Sequence, residues 1–538
     1  MPKPPWMFWI GAGGLAACNP TLADYCAQGT PECTAADGGS RDAASDGANE
    51  GGRDSFACDP TRSPHDDGCV IDAAYGVFVS PAGSDSNQGT KAAPLRTIGR
   101  GMDVAKLAGK RVYVCAGTFP EKLVVAAVRD GVNVYGALDC ATWSYGTANK
   151  VVVAPAPTGY ALELEGLQTG TTVEDVEFDA QPANPASAGE SSIAVFASGS
   201  QNVALHRVAI VAGKAADGAS SASPGAATAN GGANAAGSNW FGTPPSYAEL
   251  DGTNAGDAGG APTAHCTCPD QSETSGGQGG GPMNIPTPSA GTPSYGDAGT
   301  GAPGINADQC NSQGGGGIGG DAPVPAADMP SASFGACSPS GWTSGVGAAG
   351  ADGKPGQGGG GGGNGRLSSG SGGSGACGGC GGAGGKPGSG GGSSIALLSY
   401  QSSVTLVSCV LTAGAAGNGG AGGSGEPGEA GGSAGSPSGS GVGAGCAGAA
   451  GGAGAGGNGG QGGPGGSSLG IGYSGAPPAI DGALISQAAS QADITLGSAV
   501  MGGAGGSKGA AASSSTGPAG ADGALGQTGI AAAVESLP

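Results

Sequence analysis

Aromatic side chains, basic charge and histidine are all scarce in this sequence, and each shortage removes a class of explanation. Aromatics make up 4% of the 538 residues, so a large share of the chain cannot bury enough apolar surface to offset its ordering entropy. Lys and Arg number 19 against 40 Asp and Glu, a net charge of −21. Without clustered cations to neutralise phosphates, nucleic acid is excluded as the expected partner. The histidines are His65, His206 and His265 alone. There is no Gly-x-Ser-x-Gly elbow at a strand-to-helix turn and no phosphate loop ending in Gly-Lys-Ser/Thr. No array of calcium-binding nonapeptides occurs either. No cofactor is expected.

What is abundant is glycine. The chain holds 122 Gly and 37 Pro, together about 30%, a level associated with low-complexity sequence. The core must therefore be concentrated in a minority of the residues.

The N-terminus reads MPKPPWMFWIGAGGLAAC. Its short apolar run after Lys3 has the order of a secretory signal over 1–17 and is too short to span a bilayer. Leu15-Ala16-Ala17-Cys18 resembles the bacterial lipobox, which implies lipidation of Cys18 and an anchor in a membrane. Asn19 after it favours the outer membrane, with the chain facing either the periplasm or the cell surface. Residues 18–74, centred on ADGGSRDAASDGANEGGRD, read as a polar tether, and His65 within it as solvated. Setting Cys18 aside, fourteen cysteines remain, an even number compatible with up to seven disulfides in an exported chain. The local candidates are Cys26–Cys33, Cys58–Cys69 and Cys115–Cys140. Cys266, Cys268, Cys377 and Cys380, with His265 alongside, also have the residue types of a zinc site, but an oxidising compartment favours disulfide clips.

An apolar strand at Val77–Val79 is followed by a turn-rich loop and a helix from about Thr97 with Ile98, Met102 and Ala105 on one face. Strand, turn and strand follow in VYVCAGTFPEKLVV. FVSPAGSDSNQGT, APLRTI and VYVCAGTFPE, over about residues 76–140, are similar to the N-terminal signature of a bacterial family of exported right-handed parallel β-helix proteins in the pectate-lyase-like superfamily. That family is largely a domain of unknown function. The resemblance implies a fold and an exported location, with no assured activity.

Repeats point the same way independently. Alternating apolar residues, a two-residue step and renewed alternation occur at Val173, Val176, Phe178; at Val203, Leu205, Val208, Ile210; at Val404, Leu406, Cys409, Leu411; and at Ile494, Leu496, Ala499, Met501. Short strands with corners between them produce this pattern. Similar returns precede the rungs at Ser191–Val195, Ser393–Leu397 and Ser467–Ile471, and Gly529–Ala533 resembles a last one. The fold class is all-β: a right-handed parallel β-helix with a short N-terminal helix and long glycine-rich insertions at one corner. Coil is expected over 75–210, a rung over 393–411, rungs over 467–501 and a terminal strand over 529–538. Glycine-rich insertions fill 211–392, 412–466 and 502–528, with a shorter excursion over 179–190. Long excursions are tolerated because closure entropy grows slowly with length. The arms read either as solvated loops or as extended glycine chains packed side by side. The tidy triplets of 517–529 are too few for collagen.

Carboxylates cluster at Glu174, Asp175, Glu177 and Asp179, after Glu163 and Glu165. Paired carboxylates perform glycoside hydrolysis, and calcium with an arginine supports uronate elimination. Aligning rungs places Glu174 over His206 and Asp175 over Arg207, which is more simply a cross-rung charge pair. Asn-Thr-Asp, Gly-His-Gly and Arg-Ile-Lys, signatures of polygalacturonase-like β-helices, are absent. The leading expectation is a structural or adhesive envelope protein. The alternative binds or cleaves polysaccharide, as a lyase or glycoside hydrolase, at Glu174–Asp179 and Arg207, with calcium and glycans entering only there.

Overall fold

A computed structural model describes residues 58–156, 159–221, 265–281, 287–293, 333–363, 372–433, 435–436, 445–482, 493–498, 500 and 518–538. The expected signal sequence over 1–17, Cys18, Cys26, Cys33 and the expected tether up to residue 57 lie outside them.

Strand β1 (Gly76–Val79) and helix α1 (Ile98–Ala108) open the fold. Six coils then repeat one plan. The first three are β2 (Arg111–Cys115), β3 (Gly117–Phe119), β4 (Leu123–Val125); β5 (Val134–Leu138), β6 (Val151–Val153), β7 (Leu162–Glu165); and β8 (Thr171–Glu174), β9 (Glu177–Ala180), β10 (Ser192–Ser198). The fourth begins with β11 (Val203–His206) and β12 (Ala209–Ala212). Two hairpins, β13 (His265–Thr267) with β14 (Glu273–Ser275) and β15 (Gly335–Ser338) with β16 (Gly341–Ser344), precede its last strand, β17 (Ser394–Tyr400). The fifth is β18 (Val404–Val407), β19 (Val410–Thr412), β20 (Ser468–Ser474), and the sixth β21 (Ala479–Ile480), β22 (Asp493–Thr495), β23 (Ala531–Ser536).

Corresponding strands pair in parallel, giving one seven-stranded and two six-stranded sheets wrapped around a common interior. This is the parallel β-helix expected from the sequence. Inward side chains stack in register, as in Val134–Val173–Leu205–Leu406–Ile480 and Leu123–Leu162–Val195–Leu397–Ile471–Val534. Each such buried side chain contributes about 1.5–3 kcal/mol. The two-residue step has a backbone cause. Asp175, Arg207, Ser408 and Asp481 adopt φ of +57°, +52°, +53° and +46°, a left-handed kink that turns the chain onto the next face.

Helix α1 closes the first end of this interior. Thr97 Oγ1 accepts from Arg100 N (3.3 Å), and Glu121 accepts from Ile98 N (2.7 Å) and Gly99 N (3.1 Å), satisfying the first-turn donors. Ile98, Met102 and Ala105 are buried, as their spacing predicts.

Three sequence expectations need correction. Ile494 stands over Leu411 on the second sheet, while Ile480 occupies the place above Leu406. Ile494-x-Leu496 alternates as Val404-x-Leu406 does, and alternation alone does not say which face a short strand joins. The sixth coil therefore has an excursion of its own at the first corner, 481–492, and its later one starts after Thr495. Ala499 and Met501 lie outside the described residues. Second, residues 58–74, expected as part of the tether, are folded onto the coil. Cys58–Cys69 is a disulfide, Val70 and Ile71 are buried, and Tyr113 Oη donates to Val70 O. Third, Cys337 and Cys409 are free and buried, so seven disulfides are not formed. Cys115–Cys140 is bridged, and so are Cys266–Cys377 and Cys268–Cys380. The latter two consume all four thiols of the zinc reading.

The excursions after β9, β12, β19 and β22 all leave from the corner between second and third sheets. A serine ladder seals it. Ser192, Ser394 and Ser468 accept from Gly213 N, Gly414 N and Gly497 N at 2.8–3.0 Å. Those donors belong to the following coil, while each serine itself donates within its own coil, at Gln181 O, Gly213 O and Gly414 O. Beyond the corner the described arms are hydrogen-bonded chains with a period of three. In the arm 445–466, Gly454 N–H donates to Glu429 O (2.9 Å), Ala455 to Lys354 O (2.9 Å) and Gly456 to Pro518 O (3.0 Å). The next triplet repeats the set with Glu426, Ala351 and Ala521. Three residues per turn is the polyproline II period, so successive peptides face three different neighbours. Glycine is required where chains touch: a Cβ on Gly454 would lie 2.0 Å from Cys380 O. Asn458 and Gln461 are buried among these chains and accept from Ala521 N (2.8 Å) and Ala348 N (3.0 Å), which pins the register.

Gly454→Ala should destabilise the chain by about 1–3 kcal/mol through overpacking, whereas Gly68→Ala, with no atom within 4 Å of the added carbon, should leave it unchanged; differential scanning calorimetry compares the two. Asp130 supplies a pH prediction. Burial pushes its pKa up, but the N–H groups of Gln168, Thr169 and Gly170 at 2.8–3.0 Å outweigh this and hold it below the usual value. A depressed carboxylate pKa stabilises the fold above the unfolded value and loses that contribution as pH falls through the folded one. Asp130→Asn should therefore flatten the acid limb of a stability–pH profile measured by urea unfolding.

Candidate functional site

The carboxylates singled out in the sequence sit at the first corner of the third coil. Glu174 ends β8 directly opposite His206 of β11, and the kinked Asp175 and Arg207 follow them. His206 Nδ1 lies 3.1 Å from Glu174 Oε1, and Arg207 Nη2 2.5 Å from Glu174 Oε2. The same guanidinium grips Asp175 at both oxygens, each at 3.0 Å. All four carboxylate oxygens are thus engaged. The Glu174 side chain is 7% exposed and that of Asp175 11%. Burial works against the Arg207 charge, but the two carboxylates outweigh it and raise its pKa further above the ordinary value.

Glu177 and Asp179 do not join this group. They lie on β9, where their partners in the next coil are Ala209 and Val211, so no cation of that coil sits over them. Burial raises the Asp179 pKa. Glu163 instead pairs with Lys122.

The sequence missed two members of the corner. His65, read as part of a solvated tether, packs edge-on to Tyr145 with ring centroids 5.6 Å apart. Its Nδ1 lies 2.9 Å from Asp66 Oδ1, and this hydrogen bond, with a smaller influence from Arg207, lowers the Asp66 pKa. Tyr145 lies against this corner, and burial followed by the Asp175 charge raises its pKa. The available signal was the Cys58–Cys69 pair, which closes a loop around His65 and fixes it to the coil.

Chemically, this corner holds charge still. A hydrolytic pair needs one carboxyl free to give a proton and another free to attack or activate water, and here Arg207 and His206 occupy both. Among the described residues, the one grouping with metal-ligand spacing is Cys58, Asp67 and Cys69, whose sulfurs are joined in a disulfide.

A second feature is a cleft of about 570 Å³ over the outer face of the third sheet. Ile193, Phe196, Ile395, Leu398 and Leu469 form an apolar patch on that face, and the β15–β16 hairpin packs Cys337 and Trp342 against it. The cleft is lined by this hairpin, the corner loop 188–191, Ile193, Tyr160, Lys122 and Ser389–Gly390. Lys122 Nζ lies 5.1 Å from the Tyr160 ring centroid. Burial pushes the Tyr160 pKa up to about 12.

Residues 81–161 match the model of a family described as "Protein of unknown function (DUF1565)". No curated protein and no solved structure gives a significant match. The matched span runs from the loop after β1 to the approach to β7 and supports the β-helix reading, while Glu174, Asp175, Arg207 and the β15–β16 hairpin fall outside it.

Arg207→Met would leave Glu174 buried without its main partner. The expected loss is about 3–5 kcal/mol, and the double variant Arg207→Met/Glu174→Gln should recover part of it, as chemical denaturation of the single and double variants will show.

Proposed function

We propose that this chain is an exported, lipid-anchored structural or adhesive protein of the cell envelope. Its β-helix acts as a rigid stalk, and the glycine arms form a contact body beside it. The single observation carrying this reading is the arms' triplet hydrogen bonding, in which three consecutive peptides hold three different neighbours. A disordered spacer needs no such cross-bracing. The four disulfides whose cysteines both lie among the described residues, two of them clipping the β13–β14 hairpin to an arm, agree with an oxidising compartment. In this proposal Cys18 carries the lipid, and the outer membrane is the partner. The carbohydrate-directed alternative at Glu174–Asp179 and Arg207 is weakened by the complete engagement of Glu174 and Asp175.

Expression of the full chain in a Gram-negative host should give a membrane-associated product that incorporates labelled fatty acid, and Cys18→Ala should give a product that does neither. The same chain incubated with a polysaccharide panel and calcium should release no reducing or unsaturated ends. Turnover abolished by Glu174→Gln or Asp175→Asn would make the protein an enzyme and sink the structural reading.

A further inference from the structure

The chain's acidity is unevenly spread, and the first end of the coil reverses its sign. Within a chain of net charge −21, residues 85–130 hold eight Lys and Arg against four carboxylates, Asp85, Asp103, Glu121 and Asp130. Each of those carboxylates is already committed. Asp85 accepts from Arg96 N (3.0 Å) and Thr97 N (2.9 Å). Glu121 accepts from the first turn of α1, and Asp130 from Gln168, Thr169 and Gly170. Asp103 pairs with Arg129 Nε at 2.7 Å. Arg96, Arg100 and Lys106 are exposed, and among the described residues no carboxylate forms an ion pair with any of them. Arg100 reaches Asp85 only as the smallest of the influences on its pKa.

Helix α1 turns this charge outward. Its buried stripe of Ile98, Met102 and Ala105 closes the coil interior. At 3.6 residues per turn, Arg100 and Leu107 fall on the opposite side. The short turn Ala127–Arg129 is tied to the helix by the Arg129–Asp103 pair and by a hydrogen bond from Lys106 Nζ to Asp130 O. Leu107 follows Lys106 and is 89% exposed, and Val128 precedes Arg129 and is 73% exposed. They are the two most exposed large apolar side chains among the described residues, and neither belongs to a core cluster.

We propose that this capped end docks on the surface of an anionic lipid bilayer. Arg96, Arg100 and Lys106 meet the lipid phosphates, and Leu107 and Val128 enter the headgroup layer. Charge complementarity is the first half of the argument. The Debye length at physiological salt is about 8 Å, so a surface held against the cap responds to its local cations while more distant acidic groups are screened. The protruding aliphatic pair is the second half. Nucleic acid has no use for isolated aliphatic side chains beside cations, whereas the interfacial layer of a bilayer accepts both together. Docking of the cap does not depend on acylation of Cys18, and the test keeps the two apart.

The full chain carrying Cys18→Ala, with no lipid at that residue, is sedimented with vesicles of phosphatidylcholine alone or with one third phosphatidylglycerol. Binding to the anionic vesicles that weakens as salt is raised is expected. Arg100→Gln/Lys106→Gln should lower the partition coefficient about 25-fold, at roughly fivefold per cation. Leu107→Ser should lower it about tenfold; it alters no core contact, so it decides the matter should the double variant fail to fold. Lys214→Gln/Lys386→Gln removes the same charge from exposed positions on the glycine arms and should leave binding unchanged. Equal binding to both vesicle types, or to neither, overturns the proposal. So does an arm variant that loses as much as the cap variant, since net charge alone would then be acting. Duplex DNA binding that falls with Arg100→Gln/Lys106→Gln, beside vesicle binding indifferent to Leu107→Ser, would make the cap a general polyanion surface and overturn it too.

Discussion

In-register stacking of parallel strands is the constraint from which the rest follows. Strand neighbours lie about 4.8 Å apart, and each coil returns to the same corner before the chain leaves again. The excursions consequently emerge as a rank of chains already side by side and one strand spacing apart. Ser192, Ser394 and Ser468 hold that rank together at its root by accepting from Gly213, Gly414 and Gly497 of the following coil. The glycine arms do not have to find one another in space, since the coil presents them in order.

The two halves of the molecule then use opposite means of burial. Inside the coil, Val, Leu, Ile and Phe stack and exclude water, so side chains supply the core. In the bundle nearly all side chains are missing, and what is buried is peptide against peptide. Each net hydrogen bond contributes only about 0.5–1.5 kcal/mol, while glycine loses more freedom on ordering than any other residue. Covalent closure offsets part of that loss. Cys266–Cys377 and Cys268–Cys380 close loops with sequence separations of 111 and 112, and a loop of that size is worth about 4.7 kcal/mol in the chain-entropy picture. The clips sit where the arms have least apolar surface to rely on.

Much of the coil was legible because its pattern is local. Val203, Leu205, Val208 and Ile210 display both strands and the kink between them in eight residues, and the paired serines mark each return. Where the pattern shrinks, the reading fails. Ala479–Ile480 is too short to announce a strand, so Ile494 was given to the wrong face. The corner pairing of Glu174 with His206 and of Asp175 with Arg207 was readable from register alone. His65 was not, because what fixes it is a loop closed by Cys58 and Cys69 against aromatic groups far along the chain. The cleft was equally hidden. Trp342 lies within a long glycine-rich insertion, and nothing nearby in sequence shows that its hairpin folds back onto Ile193 and Phe196.

The interleaving of the arms has a consequence for the order of events in folding. The coil is a solenoid in which each turn needs only its predecessor, so it can grow as the chain is made. The bundle has no such freedom. The arm at 445–466 is bonded at once to 347–363 before it, to 417–435 beside it and to 518–527 after it. The early arms 347–356 and 379–388 bond to each other, but the bonds they share with 445–466 must wait until that arm has been made. Contacts of such sequence separation form slowly, so the coil can run ahead of the completed bundle.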